Sequence, residues 1–283
     1  MSALHHPSIK DRVVIITGGG RGFGWYISEE LLKAGAKVVA TGSRKPEDLI
    51  EVQKKADAIA GPGRFITLKA DVCSYADCEA TVALAIKTFG HVDVLINNAG
   101  RGSSEYRAGL AGKSGPRFWD MPVDAWKTII DTNVTGVFNM TRATVPHMLS
   151  RKFGKVFSIS TSLTTMSAPG LSPYGTSKAA LEMSHVVWAK ELAGSGVDVN
   201  ILLPGGASDT PFISQDMVAG AVGTRSNLLP GDVIVPPAVW LCSDATNGLN
   251  GRRIIAKFWD KSASPEKAFE ACLQPKHDLP EIM

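Results

Sequence analysis

Cysteine is scarce in this sequence: Cys73, Cys78, Cys242 and Cys272 are the only four in 283 residues, and none form a C-x-x-C pair. That excludes a disulfide framework, and the thiols are expected to be reduced. Long apolar runs are missing as well. No stretch reaches the ~18 residues that a membrane helix needs, and Met1 to Asp11 is polar, without the apolar region of a signal peptide. No membrane partner and a cytoplasmic location are therefore expected. Nor does one charge dominate: 30 basic residues stand against 27 acidic ones, a net +3. Without a long like-charge run there is no electrostatic case for nucleic acid, which leaves small anionic molecules as ligands. No metal site is expected, because the adjacent His5 and His6 lack further ligands at a suitable spacing.

What is present is apolar residue in short blocks, 44% of the chain, enough for a large core. Unalternating β-branched runs at Arg12 to Ile16, Lys37 to Thr41, Phe65 to Leu68, Val92 to Ile96, Lys155 to Ile159, Val197 to Leu203 and Arg253 to Ala256 predict strands buried on both faces. Stretches of helical periodicity lie between most of them, at Gly24 to Ala34, Pro46 to Ala60, Tyr75 to Phe89, Val123 to Ser150 and Pro173 to Ala193. Strand alternating with helix predicts an α/β fold, a doubly wound parallel sheet with helices on both faces. Gly35, Gly90, Gly154 and Gly196 fall just after four of the helices, where left-handed caps are wanted. The expected layout is one domain over residues 11–260, with a flexible tail at 1–10 and another at 261–283. Two irregular segments, 101–121 and 205–237, follow strands on the carboxyl side of the sheet and are expected to shape a substrate pocket.

Two motifs carry chemistry. The first strand runs into Thr17-Gly-Gly-Gly-Arg-Gly-Phe-Gly24, with glycines at Gly18, Gly22 and Gly24 rather than at the strict G-x-G-x-x-G spacing. Glycines let such a turn reach positive φ and bring backbone N–H groups at a helix N-terminus against a pyrophosphate. About 20 residues further on, a site preferring NAD would place an acidic residue at the end of the second strand. Gly42, Ser43 and Arg44 stand there instead, and Arg21 lies inside the loop. A hydroxyl and guanidinium groups suit a 2′-phosphate, so NADP(H) is favoured, with NAD(H) as the alternative. The second motif is Tyr174-Gly-Thr-Ser-Lys178. One helical turn would place the two side chains on one face with Cβ atoms ~6 Å apart, where an ammonium would pull the phenol below its usual pKa of about 10.

Together these motifs resemble the short-chain dehydrogenase/reductase family in its compact form, over roughly residues 10–260. Besides the loop and the Y-x-x-x-K pair, Asp71-Val72 is similar to the pair that packs on the adenine. Asn97-Asn98-Ala99-Gly100 is similar to the turn after the fourth strand, and Pro204-Gly205 followed by Thr210 to the segment that closes over the nicotinamide. The resemblance implies that Tyr174 donates or accepts the carbonyl proton, and that Lys178 tunes it and holds the nicotinamide ribose. Asn133 would kink its helix and order a water toward Lys178, while Arg21, Gly22 and Phe23 offer backbone to the pyrophosphate.

In that family a serine lies thirteen residues before the tyrosine, a register that falls here on Thr161, with Ser160 and Ser162 on either side. A strand presents alternate residues to opposite faces, so the three hydroxyls cannot all point inward; Ser162 is preferred over Thr161. Arg101, Arg107, Lys113 and Arg117 make the first irregular segment basic, and the usual D-G-G after the last strand is replaced by Ala256-Lys-Phe-Trp-Asp260. The expected activity is interconversion of an alcohol and a ketone or aldehyde by hydride transfer. An epimerase or dehydratase and a non-catalytic cofactor-sensing protein are the other classes on this scaffold. Phe118, Trp119, Met166, Leu171, Phe212 and Met217 near the expected pocket favour a nonpolar or aromatic substrate. A homodimer or homotetramer is expected, since the helices at Val123 to Ser150 and Pro173 to Ala193 are apolar on more than one side.

Overall fold

A computed structural model describes residues 4–106, 115–213 and 225–275. Arg107 and Lys113 of the basic segment, and Met217 near the expected pocket, lie outside these residues. The seven strands are β1 Val13–Ile16, β2 Lys37–Gly42, β3 Phe65–Lys69, β4 Val94–Asn97, β5 Gly154–Ile159, β6 Val197–Leu203 and β7 Arg253–Ile255. They form one parallel sheet in the order β3-β2-β1-β4-β5-β6-β7. The order reverses between β1 and β4, and the crevice outside their carboxyl ends is where such a sheet takes a ligand.

The strand sequences do not alternate because both faces are covered. Val14, Ile16, Val38, Ala40, Val94 and Ile96 pack on one side with Ile27, Leu31 and Trp240. Ile15, Val39, Leu95 and Val156 point to the other, against Val82, Ala85, Met140 and Met148. Each fully buried Val or Ile contributes about 1.5–3 kcal/mol of apolar burial. The covering helices are α1 Gly22–Lys33, α2 Pro46–Ala60, α3 Tyr75–Phe89, α4 Val123–Ile130, α5 Gly136–Arg151, α6 Leu163–Met166, α7 Ser172–Glu191, α8 Val235–Leu241 and α9 Pro265–Cys272. No helix of the described residues is long and apolar enough to cross a membrane. The four cysteines are free thiols.

Three local expectations are corrected. The helix read as continuous from Val123 to Ser150 is α4 and α5 joined through a π-turn at Asp131–Thr135, where the Gly136 N–H reaches back to the Asp131 carbonyl. Gly154 is the first residue of β5 rather than a cap; Lys152 takes the left-handed cap of α5 at φ 53°. Neither terminal segment is a free tail within the described residues. Ile9 is fully buried, His5 bonds Glu30 at 2.7 Å, and the His6 ring meets Trp240 edge-on. Beyond residue 260, α9 buries Ala268, Phe269 and Cys272, and Leu273 bridges to Ile254 of β7. The apolar stripe of α9, preceded by Ser264-Pro265, is the signal that sequence reading passed over.

Candidate active site

A cleft of about 510 Å³ opens along the carboxyl ends of the central strands. One end is built by the turn after β1. Gly18 and Gly22 take φ of 65° and 54°, and a Cβ on Gly24 would stand 2.3 Å from the Gly18 carbonyl oxygen, so only glycine lets α1 start this close to β1. Thr17 anchors the turn to the end of β4: its Oγ1 accepts from the N–H groups of Asn98 and Ala99 at 3.1 and 3.0 Å. The Asn98 side chain in return donates to the Thr17 and Gly18 carbonyls at 2.9 and 3.0 Å. Arg21 is the N-cap of α1 and makes no side-chain capping bond, which leaves this end of the helix suited to an anion.

Around this turn the cleft gathers Gly18, Arg21, Gly22, Phe23, Ser43, Arg44, Asp71, Val72, Asn98, Ala99, Gly100, Pro204 and Thr210. Gly24 and Gly205 do not line it. Gly24 lies behind Gly18, and Gly205 makes a left-handed turn at φ 92° after β6. Both arginines face internal carboxylates: Arg44 forks onto Glu105 at 2.8 and 2.9 Å, and Arg21 Nε lies 3.7 Å from Asp48.

Tyr174 and Lys178 line the other end, one turn apart on α7 as expected. Gly175 lets α6 pack directly on that helix, since a Cβ there would meet the Met166 carbonyl oxygen at 1.9 Å. Lys178 donates its Nζ to the Ile159 carbonyl at 2.7 Å and stands 5.8 Å from the centroid of the Tyr174 ring. Burial pulls Lys178 down to about 8, against the Glu182 carboxylate one turn further on. Burial likewise pushes the Tyr174 phenol up to about 12, and a hydrogen bond with the Thr161 side chain offsets part of that rise. The expectation of a phenol lowered by its lysine is therefore reversed in the chain by itself. Desolvation penalises both charged forms, and the ammonium is directed at a backbone carbonyl rather than at the phenol.

The hydroxyl beside Tyr174 is that of Thr161, not Ser162. Ser162 is the N-cap of α6: its Oγ accepts from the Thr165 N–H at 3.2 Å and meets the Thr165 hydroxyl at 2.9 Å, which turns it out of the cleft. Ser160 also borders the cleft, but its hydroxyl is engaged, donating to Glu182 at 2.6 Å. The bonds of its two neighbours thus leave Thr161, the residue that the thirteen-residue register indicated. Glu182 also receives Arg253 Nε at 3.1 Å, and Arg253 Nη2 donates to the Thr161 carbonyl at 3.0 Å. This half-buried clamp holds the end of β5. Glu182 sits four residues after Lys178, so helical spacing alone could have pointed to it; Arg253 carries no such signal.

Asn133 is fully buried in the π-turn, one layer behind the cleft. Its Oδ1 accepts from the Arg101 N–H at 2.8 Å, and its Nδ2 donates to the Arg101 carbonyl and Ser177 Oγ, both at 2.9 Å. It ties the segment after β4 to α7. Toward the substrate end, the Phe212 ring lies 5.9 Å from that of Tyr174 and packs so closely on Gly102 that a Cβ there would come within 2.4 Å. Arg101, Ser103, Thr164, Thr165, Leu171 and Ile213 complete this wall. Phe118 and Trp119 are instead 70% and 68% exposed and, like Met166 and Arg117, stand outside the cleft lining.

Comparison with known proteins bears on the family and the fold. The family model of short chain dehydrogenases matches residues 12–217. Oxidoreductase UcpA of Salmonella typhimurium is 35% identical over 196 residues, 69% of this chain and 68% of that one. The 3-oxoacyl-(acyl-carrier-protein) reductase FabG of the same organism is 29% identical over 251 residues, 87% of this chain and 96% of that one. Among solved structures, a short-chain type dehydrogenase/reductase from Mycobacterium marinum superposes with a TM-score of 0.77 at 23% identity, covering 90% of this chain and 97% of that one. A Beutenbergia cavernae structure, described as an NAD(P) dependent gluconate 5-dehydrogenase with NADP bound at low occupancy, does so with 0.75 at 24%, covering 88% and 96%.

Proposed function

The chain belongs to the short-chain dehydrogenase/reductase family and is an NAD(P)-dependent oxidoreductase, and we propose that it interconverts a ketone or aldehyde and an alcohol with NADP(H). The observation that carries this reading is the contact of the Tyr174 phenol with the Thr161 hydroxyl at one end of a cleft whose other end holds the glycine turn. The turn fits a dinucleotide, because Gly18 and Gly22 line the cleft at positive φ, Gly24 lets α1 start directly behind them, and Arg21 and Arg44 offer cations with no acidic residue at the end of β2. Bound NADP(H) supplies the hydride in reduction and takes it up in oxidation.

In reduction, Tyr174 gives its proton to the substrate oxygen, and a phenol held up to about 12 keeps that proton through neutral pH. Thr161 donates a second hydrogen bond to the same oxygen as negative charge develops there. Lys178 provides the ammonium behind the phenol and hydroxyl-binding donors for a ribose. Asn133 and the Glu182–Arg253 clamp keep these groups in place without touching substrate. Leu171, Phe212 and Ile213 give the substrate end an apolar wall, which favours a ketone or secondary alcohol bearing a nonpolar or aromatic group. Exposed Phe138 on α5 and Met183 and Val187 on α7 support assembly as a homodimer or homotetramer.

The reading is tested by mixing the protein with NADPH and a panel of aryl and alkyl ketones and aldehydes and following cofactor absorbance. NADPH consumption is expected; cofactor binding with no turnover on any carbonyl or alcohol sinks the proposal. Within an active preparation, Thr161→Val should reduce kcat by about 10²-fold, the effect of one lost donor to a developing oxyanion. Ser162→Ala should stay within about threefold and cost mainly the α6 cap, roughly 1 kcal/mol at most. The reverse ranking would return the role to Ser162.

A further inference from the structure

Arg44 leaves the end of β2, and Glu105 ends the short helical turn Ser103–Glu105 that follows β4. Because β1 lies between β2 and β4 in the sheet, their ion pair crosses over the carboxyl end of β1, where the glycine turn sits. The contact is a fork: Nη1 to Oε1 at 2.8 Å and Nη2 to Oε2 at 2.9 Å. Those two parallel donors are the face of a guanidinium that a phosphate monoester also uses, so one Arg44 cannot serve both anions with the same geometry. Glu105 has a second cation at hand, Arg101, whose Nη1 is 3.6 Å from Oε1. Its carboxylate would therefore keep a partner if Arg44 turned away, and displacement costs less than baring an unpaired charge.

We propose that Glu105 is an internal competitor for the 2′-phosphate at Arg44 and sets the affinity of this chain for NADP(H) relative to NAD(H). A 2′-phosphate either displaces the carboxylate from the Arg44 fork or shares the guanidinium with it against like-charge repulsion. A ribose with a free 2′-hydroxyl leaves the ion pair standing. The same carboxylate that would repel the phosphate thus costs NAD(H) nothing, and the chain can be tuned between the two cofactors without changing the glycine turn. Asp48 stands in a looser relation to Arg21, at 3.7 Å through Nε alone, and is the weaker competitor.

This inference rests on the NADP(H) reading above, and binding measurements separate the two. NADPH and NADH are titrated separately into the full chain and into Glu105→Gln, Glu105→Ala, Arg44→Leu and Arg44→Leu/Glu105→Gln, with cofactor fluorescence giving Kd. Glu105→Gln and Glu105→Ala should each tighten NADPH by about fivefold, the order of one well-formed exposed ion pair, and shift NADH by less than about twofold. Arg44→Leu should weaken NADPH by about tenfold or more, and on that background Glu105→Gln should have a smaller effect than in the wild-type chain, limited to relief of like-charge repulsion. An NADPH to NADH affinity ratio that is unchanged or lower in both Glu105 variants, with Arg44→Leu still weakening NADPH, overturns the inference and leaves the NADP(H) reading standing. Indifference of NADPH to Arg44→Leu overturns both.

Discussion

Replacement of Tyr174 by Phe is expected to lower kcat for carbonyl reduction by about 10³-fold, within the range that a positioned proton donor contributes, while the Kd for NADPH stays within about a factor of two. The substitution keeps the ring that packs 5.9 Å from Phe212 and removes only the O–H that meets Thr161. Substrate still fits, but its oxygen must take a proton from water that the cleft does not position. Single-turnover kinetics with preformed NADPH complex distinguish this from a binding defect. Retention of more than about a tenth of the wild-type rate would remove Tyr174 from the proton-donor role. The pH profile offers a further check with a definite sign. A phenol that keeps its proton up to about 12 cannot cause a loss of reduction in mildly alkaline solution. A fall in rate centred near 8 would instead report the deprotonation of Lys178.

Lys178→Met is expected to abolish most of the activity and to make the protein more stable. Burial holds the folded lysine at about 8 against an ordinary 10.5, and that gap corresponds to roughly 3 kcal/mol spent keeping the ammonium charged at pH 7. Loss of its hydrogen bond to the Ile159 carbonyl returns roughly 1 kcal/mol, so a net gain of about 2 kcal/mol is expected from a methionine of similar shape. The sign with pH follows from proton counting. Below about 8 both folded and unfolded lysine are charged and the whole cost is present. Between about 8 and 10.5 the folded lysine sheds its proton first, wild-type stability rises, and the advantage of the methionine shrinks. Lys155, also lowered by burial to about 8, titrates in both proteins and cancels from the difference. Urea unfolding of the two proteins without cofactor, at neutral and alkaline pH, measures the effect. A methionine variant less stable at pH 7 would show that the buried ammonium is not a burden on the fold.

The two experiments concern the same helical turn seen from opposite sides. A buried lysine with one hydrogen-bond partner is poor for stability, and its retention beside Tyr174 is what a functional site placed at some cost to the fold looks like. The effect of Glu105 is smaller, but it acts at the far end of the cleft and on a different ligand group, so the two ends are separable by mutation.

Much of this arrangement is written locally. The strands are short apolar blocks because each is covered on both faces; β1 to β6 start or end within two residues of where those blocks do. Gly18, Gly22 and Gly24 form a turn whose backbone only glycine allows, and Tyr174 and Lys178 meet because four residues make one turn. Each depends on neighbours a few positions away, so sequence by itself determined the sheet, the glycine turn and the Tyr174–Lys178 pair. Tertiary structure decided the rest. Whether Thr161 or Ser162 faces Tyr174 turns on Ser162 capping α6 and on Arg253, brought in by the last strand, holding the Thr161 carbonyl. The direction of the Tyr174 shift turns on how much of the fold closes over the phenol, and Arg44 meets Glu105 only because β2 and β4 flank β1. Charge and desolvation act through space, and the distances that set their balance exist only once residues far apart in the chain have been packed together.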